Sequence, residues 1–260
     1  MKKSAYVFLL KNKDNNLLLK NIYELHSNKI DLNIEELAKI SFLSKSSISR
    51  YFKKNGFDGF SEFKFLLTNE QPEEVLINNN FNLFEHQMIF KPIENTANLN
   101  QIKDFEKIHD LLLKANYNFI LGAGANASVC YELKSRLDRF GYSAETNKDL
   151  HGLYARISNA KENDLLWVFS YTGETEELVK IVTLAKKRNL NIISITKKSN
   201  NTIEKLSSIK LYIDDSENLI RTLSIKSRMS MFYLISKLVL YIYSKDIKYY
   251  NQKLLDSLYK

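Results

Sequence analysis

The sequence predicts two modules: an all-α region at the N-terminus, then an α/β domain with a parallel sheet flanked by helices. Three observations carry this. Residues 4–67 show helical periodicity and no strand pattern. From about Asn100 onward, short apolar runs alternate with amphipathic stretches of helical length, the pattern of βα units and of a sheet covered on both faces. The charge is divided as well. Residues 1–67 hold 12 basic and 7 acidic side chains, residues 221–260 hold 8 and 2, and the 153 residues between hold 18 and 21. A basic block joined to a slightly acidic middle suggests different partners for the two modules.

In the first module, residues 4–26 place apolar and charged positions at helical spacing. Ile34, Leu37, Ala38 and Ser41 share one face of a second helix, with Asn33 as its N-cap. A link of Phe42, Leu43 and Ser44 leads to a third helix over 45–55. Ser44 caps it, Gly56 ends it in a left-handed turn, and Ile48, Tyr51 and Phe52 form its buried face. Residues 1–77 are assigned to this module. Periodicity breaks from Gln71-Pro72 through Asn78-Asn79-Asn80 to Lys91-Pro92, so 78–100 read as a linker with some helical character.

Residues 101–260 form the second module. A helix through Leu111, Leu112 and Leu113 precedes a strand at 118–121, and a helix running to Arg139 follows it. Further strands are expected at 143–146, 165–170, 191–196 and 209–213. Helices are expected at 149–159, after Thr175 and at 202–206, then a long one at about 221–244 and a shorter one after Asp246. A length of 260 residues with 44% hydrophobic content supports a sizeable core, and 7 Gly with 2 Pro are too few for a turn-dense β sandwich. The single Cys130 excludes an internal disulfide and suits a reducing cytosol, so a cytoplasmic protein is expected. His26, His86, His109 and His151 are scattered and give no metal-ligand spacing; neither metal nor cofactor is expected. The apolar start at 5–10 stops at Lys11 without a cleavage site, so it is not read as a signal peptide. The apolar stretch 231–243 is short for a bilayer and carries Lys237, so it reads as a buried helix.

The most informative stretch is Ser170-Tyr171-Thr172-Gly173-Glu174-Thr175. It links the apolar run 165–169 to a helix. Free N–H groups and the positive dipole end at a helix start favour an anion, and three hydroxyls add donors; phosphate is the natural guest. Taken alone, these hydroxyls are equally good helix caps. A second loop, Gly122-Ala123-Gly124-Ala125-Asn126-Ala127-Ser128, follows the first strand. Its Gly122-x-Gly124-x-x-Ala127 satisfies a relaxed dinucleotide fingerprint, with Glu145 placed as a ribose-binding acid. The small polar side chains of that loop and the second phosphate turn speak against a nucleotide fold. Glu174 could serve as a base and His151 could face a sugar, but a solvated acid and a helix-opening histidine account for both. Arg221 and Arg228 could reach a ligand or a partner, or simply be solvated.

The exposed face of the third N-terminal helix should carry Lys45, Ser46, Ser49, Arg50 and Lys53, with Lys54 beside them and Ser47 grouped with them as DNA-binding. Lys and Arg neutralise phosphates, while Ser and Arg also reach base edges. A short link before such a helix fits a helix-turn-helix.

Two stretches carry a resemblance. Ile34-Glu35-Glu36-Leu37-Ala38, followed by 43–64 with Arg50-Tyr51 and Gly56-Phe57-Asp58-Gly59-Phe60, resembles the N-terminal domain of RpiR-type bacterial transcriptional regulators. Phe42 stands where that family usually has Gly, and Asn55 where it often has Leu. The two later loops resemble the SIS (sugar isomerase) domain, a flavodoxin-like three-layer sandwich with Gly-x-Gly-x-Ser after its first strand and Ser-x-Ser-Gly-x-Thr after a later one. The resemblance implies a phosphosugar site at Gly124, Asn126, Ser128, Ser170, Thr172, Gly173 and Thr175, with Asn126 at the usual Ser position. It also implies a homodimer or homotetramer bound to operator DNA. The apolar residues Met229, Met231, Phe232, Leu234, Ile235 and Leu238 were the sequence's candidates for a dimer element. The expected function is transcriptional regulation of sugar-metabolism genes, with operator affinity set by a sugar phosphate, and no catalysis. The rival is a phosphosugar isomerase or related enzyme of the same fold, which needs a positioned acid or base; a nucleotide-binding protein ranks third.

Overall fold

A computed structural model describes residues 4–28, 30–69, 81–147, 149–217 and 224–258. The chain divides into two units, Met1–His86 and Gln87–Lys260.

The first unit is helical: α1 Ala5–Asn12, α2 Leu17–Ser27, α3 Ile34–Ile40, α4 Lys45–Lys54, α5 Phe60–Asn69 and α6 Phe81–Glu85. The single helix expected over 4–26 is two. Asn16 ends the first segment by capping the second, its Oδ1 accepting from Leu19 N–H at 3.1 Å, and a 3-10 turn at Lys13–Asn15 fills the break. Helix-start competition from short polar side chains is the physical reason. Phe52 centres the core. It stacks on Phe63 at 4.2 Å and meets Phe57 edge-on at 6.2 Å, with Leu37 and Ile48 buried around it. Each such aromatic pair adds about 0.5–1.5 kcal/mol beyond its buried area.

Two turns here share one geometry. After α3, Phe42 N–H reaches Lys39 O and Leu43 N–H reaches Ala38 O; after α4, Gly56 N–H reaches Lys53 O and Phe57 N–H reaches Phe52 O. Both are Schellman caps with a left-handed residue just past the helix, Phe42 at φ +55° and Gly56 at φ +88°.

The stretch read as a linker is partly helical. Residues 70–80 lie outside the described residues. Beyond them come α6, a π turn at His86–Phe90 and α7 Lys91–Leu99, with Pro92 in the first turn where its missing N–H costs nothing. The unit boundary falls at His86/Gln87, inside the expected linker, and α7 packs with the second unit.

The second unit continues with α8 Ile102–Lys114, β1 Asn118–Gly122, α9 Ala127–Arg139, β2 Ala144–Thr146, α10 Leu150–Ser158 and β3 Leu165–Phe169. Then come α11 Glu176–Lys187, β4 Asn191–Lys197, α12 Thr202–Leu206, β5 Ile209–Ile213, α13 Ile225–Lys245 and α14 Ile247–Asp256. The strands form one parallel sheet in the order β2-β1-β3-β4-β5. Alternation along each strand builds two cores. Ile120, Trp167, Phe169, Ile193 and Ile195 face α8, α9 and α13; Phe119, Leu121, Leu166, Val168 and Ile192 face α10, α11 and α12. Near-continuous apolar strands are what burial on both faces demands. Met231, Leu234, Ile235 and Leu238, nominated for a dimer contact, are buried in this unit's own core; Leu240 remains exposed on α13. The expected start of that helix at Arg221 lies outside the described residues.

At the β5 edge, side chains replace a further strand. Asn100 accepts from Tyr212 N–H at 2.8 Å and donates to Tyr212 O at 2.7 Å, and Thr96 Oγ1 accepts from Asp214 N–H at 3.0 Å. Satisfying an edge in this way blocks strand addition.

Candidate effector site and DNA-reading face

The strand order decides where a ligand can sit. The chain steps from β1 outward to β2, then returns to β3 on the other side of β1. The crevice beyond the carboxyl ends of β1 and β3 is the topological switch point, where open α/β sheets bind ligands. Gly122 and Phe169 are paired at those ends, so the loops 122–126 and 170–175 leave the sheet side by side. The starts of α9 and α11 follow directly with their positive dipole ends. A 3-10 turn at Gly124–Asn126 leads into α9 and pairs the Asn126 and Ala127 N–H groups with Ala123 O and Gly124 O, whereas α11 begins after Thr175 with no side-chain cap.

The β3 loop is held tightly. Ser170 is buried, and its Oγ accepts from Gly173 N–H at 3.1 Å. Gly173 sits at φ +67°, and a Cβ there would fall 1.9 Å from Asn201 Oδ1. Its carbonyl accepts from Ile203 N–H at 3.2 Å. Glu174 Oε1 accepts from Thr202 N–H at 2.8 Å, and that bond holds its carboxyl below the usual glutamate range. Thr172 Oγ1 accepts from Glu174 N–H at 3.3 Å. Thr175 stands at the N-cap of α11 without a side-chain capping bond, which leaves its hydroxyl available to a guest. Glu176, which would oppose an anion, pairs with Lys180 at 2.6 Å.

The β1 loop is open. Gly124 at φ +60° has no heavy atom within 4 Å of a built Cβ. Asn126, expected to donate to a ligand, donates through Nδ2 to Phe169 O at 3.2 Å and so straps the two loops together. Ser128, expected to supply a hydroxyl, donates to Ala125 O at 3.0 Å. Gly122 makes room for Cys130, whose Sγ would lie 2.7 Å from a Cβ there; burial pushes the Cys130 thiol up to about 12.

Of the other candidates, Glu145 pairs with Arg156 at 2.9 Å, which occupies the carboxylate a nucleotide ribose would need. His151 opens α10 and lines a groove of about 500 Å³ with Tyr154 and Val179. Arg228 Nε donates to Ser224 O at 2.8 Å; Arg221 lies outside the described residues. Sequence reading missed Asn201. It is 2% exposed and is the wall against which Gly173 packs.

In the first unit, Ser44 Oγ caps α4 by accepting from Ser47 N–H at 3.1 Å and contacts the Ser46 and Ser47 hydroxyls at 2.9 and 2.8 Å. Ser47 is thus part of the cap and half-buried. Ser49 is also half-buried, packed close to Gly59. Ser46, Arg50, Lys53 and Lys54 are exposed, and Lys45 pairs with Glu35 of α3. All four basic side chains of the expected face, Lys45 included, are thus exposed, and of its serines Ser49 is half-buried.

The SIS domain family model matches residues 111–241. The HTH-type transcriptional regulator GlvR of Bacillus subtilis is 30% identical over 184 residues, covering 70% of each chain. The solved structure of the Vibrio vulnificus NanR protein complexed with ManNAc-6P superposes with a TM-score of 0.65 at 22% identity, covering 97% of this chain and 96% of that one. A phosphoheptose isomerase from Francisella tularensis gives 0.53 at 13% identity over 64% of this chain and 98% of its own. The last two are likenesses of fold. Among the described residues no helix is long and apolar enough to cross a membrane, and no group of three or more His, Cys, Asp or Glu could hold a metal.

Proposed function

From a chain that belongs to the SIS-domain family, and to its HTH-type transcriptional regulators of RpiR type, we infer a DNA-binding regulator whose operator affinity is set by a phosphosugar held at the β1/β3 switch point. One observation carries this reading: two glycine-bearing loops and two helix starts converge at the same sheet end, with the Thr175 hydroxyl uncommitted. Thr175, Thr172 and the first N–H groups of α11 would take the phosphate, and Gly173 lets the backbone approach it. Ser170 and Asn126 shape the loops rather than meet the guest. NanR's bound ManNAc-6P makes amino-sugar phosphates the first ligands to try.

The first unit would read DNA through Ser46, Arg50, Lys53 and Lys54, with Lys45 released from Glu35 on contact with phosphate. A homodimer or homotetramer in the cytoplasm completes the proposal, since paired readers place recognition helices at half-sites about 34–36 Å apart. Linkage is the mechanism. A sugar phosphate that binds one arrangement more tightly shifts operator affinity by the coupling energy, typically about 1–3 kcal/mol.

The test is a mobility shift at fixed salt, with DNA from upstream of the chain's own gene and its neighbours. Lanes carry ManNAc-6P, hexose phosphates or pentose phosphates. A specific shift altered by one of them supports the reading. No specific shift, together with turnover of a sugar phosphate, favours the isomerase, a reading that the isomerase-like fold keeps in play.

A further inference from the structure

Several of the second unit's buried polar groups, among them Thr196, Asn201, Glu204, Asp214 and Thr96, lie along one path, and it runs from the effector loop to α7. It starts where Gly173 O accepts from Ile203 N–H at 3.2 Å and Glu174 accepts from Thr202 N–H at 2.8 Å. Asn201, which precedes them, donates to Thr196 Oγ1 at 3.1 Å and to Lys197 O at 3.2 Å, and its Oδ1 accepts from Glu204 N–H at 2.9 Å. Glu204 is buried and accepts from the Tyr212 hydroxyl at 2.7 Å. The Tyr212 backbone exchanges two hydrogen bonds with Asn100. Two residues on, Asp214 is fixed by Thr96 at 3.0 Å and by Asn95 at 2.6 Å. Asn95 and Thr96 belong to α7, the helix next after the unit boundary in the chain.

A path of this kind differs from an apolar contact. Hydrocarbon surfaces slide at little cost, whereas a buried polar group that loses its partner costs about 1–3 kcal/mol. A displacement of the loop must therefore break a bond or be passed on. Most of the link runs through backbone and fixed side chains. The Tyr212 hydroxyl is the step that a single atom removes.

Resting on the effector reading above, we propose that Tyr212 and Glu204 are positioning residues that carry occupancy of the 170–175 loop to α7, and so to the chain that leads into the DNA-reading unit. A physical path counts as coupling only if a change at one end biases the other.

The test uses the full chain and Tyr212→Phe, which keeps the ring and deletes the hydroxyl. Hydrogen exchange is followed with and without ManNAc-6P, glucose 6-phosphate or inorganic phosphate, beside the mobility shift. In the parent, binding protects 170–175 and alters exchange across 91–99. In Tyr212→Phe, the loop protection stays, while the response at 91–99 and the effect on operator affinity both fall by about fivefold or more. An equal response at 91–99 in the two chains overturns the proposal. If none of the three probes protects the loop, the effector reading fails instead, and the path is decided without ligand. Tyr212→Phe should then speed exchange at Ile203 and across 91–99 together. Faster exchange at only one of those ends overturns the path. A Tyr212 that merely stabilises the fold would lower Tm without separating loop protection from the response at α7.

Discussion

The two loops at the switch point each hold one glycine at a left-handed φ, for different reasons. Gly173 and Gly124 each follow a strand, each precede a helix, and sit at φ +67° and +60°. Around Gly173 the space is closed: Asn201 occupies the position of a Cβ, and bonds from Thr202 and Ile203 pin the loop. Around Gly124 the space is empty to 4 Å. One glycine is required by conformation and by contact, the other by conformation alone. The β3 loop is thus a fixed wall, and the β1 loop is the side free to adjust to a guest.

The largest expected effect breaks this comparison directly. Gly173→Ala should cost about 3 kcal/mol or more, from left-handed strain and overpacking against Asn201 together. Gly124→Ala should cost only the conformational part, about 1–2 kcal/mol. Trp167 is the only tryptophan and lies in the second unit's core, so its fluorescence in urea follows this unit. Equal losses of stability would mean that Asn201 yields and the wall is not fixed.

A smaller effect sharpens the comparison at the level of ligand. Thr175→Ala should remove the response of DNA binding to a sugar phosphate, a loss of about fivefold or more in the affinity ratio, while binding without the sugar is unchanged. Ser128→Ala should leave the response in place, because that hydroxyl is already committed to Ala125 O. The mobility shift reads both. Loss of the response in Ser128→Ala would show that the β1 loop grips the guest as the sequence had suggested.

What was legible in the sequence follows from the same physics. The strand at 209–213 and the helix at 202–206 were read at their true bounds, and the helix after the first loop at its true end, Arg139, because apolar runs edged by Gly, Asn and Ser announce themselves locally. The two loops were legible because glycines and hydroxyls between a strand and a helix form a local pattern. Asn201 was not. In sequence it is one of several polar residues in Ser199-Asn200-Asn201-Thr202, and only the fold buries it. The bond of Asn126 was not legible either: its type fits a ligand donor, but its bond to Phe169 depends on a strand 43 residues away. Thr96 and Asn100 look like linker residues and serve as an edge.

The first unit repeats the comparison of left-handed positions in a second pair. Phe42 and Gly56 both complete Schellman caps, and Phe42 is 88% exposed, so its ring earns almost no burial there. Phe42→Gly should relieve a left-handed penalty of about 1–2 kcal/mol and lose part of that to the greater chain entropy of glycine, for a net gain of about 0.5–1 kcal/mol. Far-UV circular dichroism in urea, together with constant Trp167 fluorescence, would assign the gain to the first unit. A loss of stability would mean that the exposed ring has a packing partner in the assembled protein.

The smallest effect concerns the tether between Glu174 and Thr202. The carboxyl is held below its ordinary value of 4.5 chiefly by the Thr202 backbone N–H, with the Thr202 side chain and Lys205 adding to it. A depressed carboxylate contributes fully above its unfolded pKa, and that contribution is lost as pH falls through the lower folded value. The tether should therefore hold at neutral pH and weaken as pH drops below 4.5. Glu176 and Glu35 are depressed too, but by Lys180 and Lys45, so their titration does not act on Thr202. Hydrogen exchange at the Thr202 amide, corrected for its intrinsic pH dependence, isolates the one bond. It should quicken on acidification in the parent and stay level in Glu174→Gln, whose amide oxygen accepts the same N–H at every pH. A parent as level as the variant would show that Asn201 and Ile203 fix the β3 loop without Glu174.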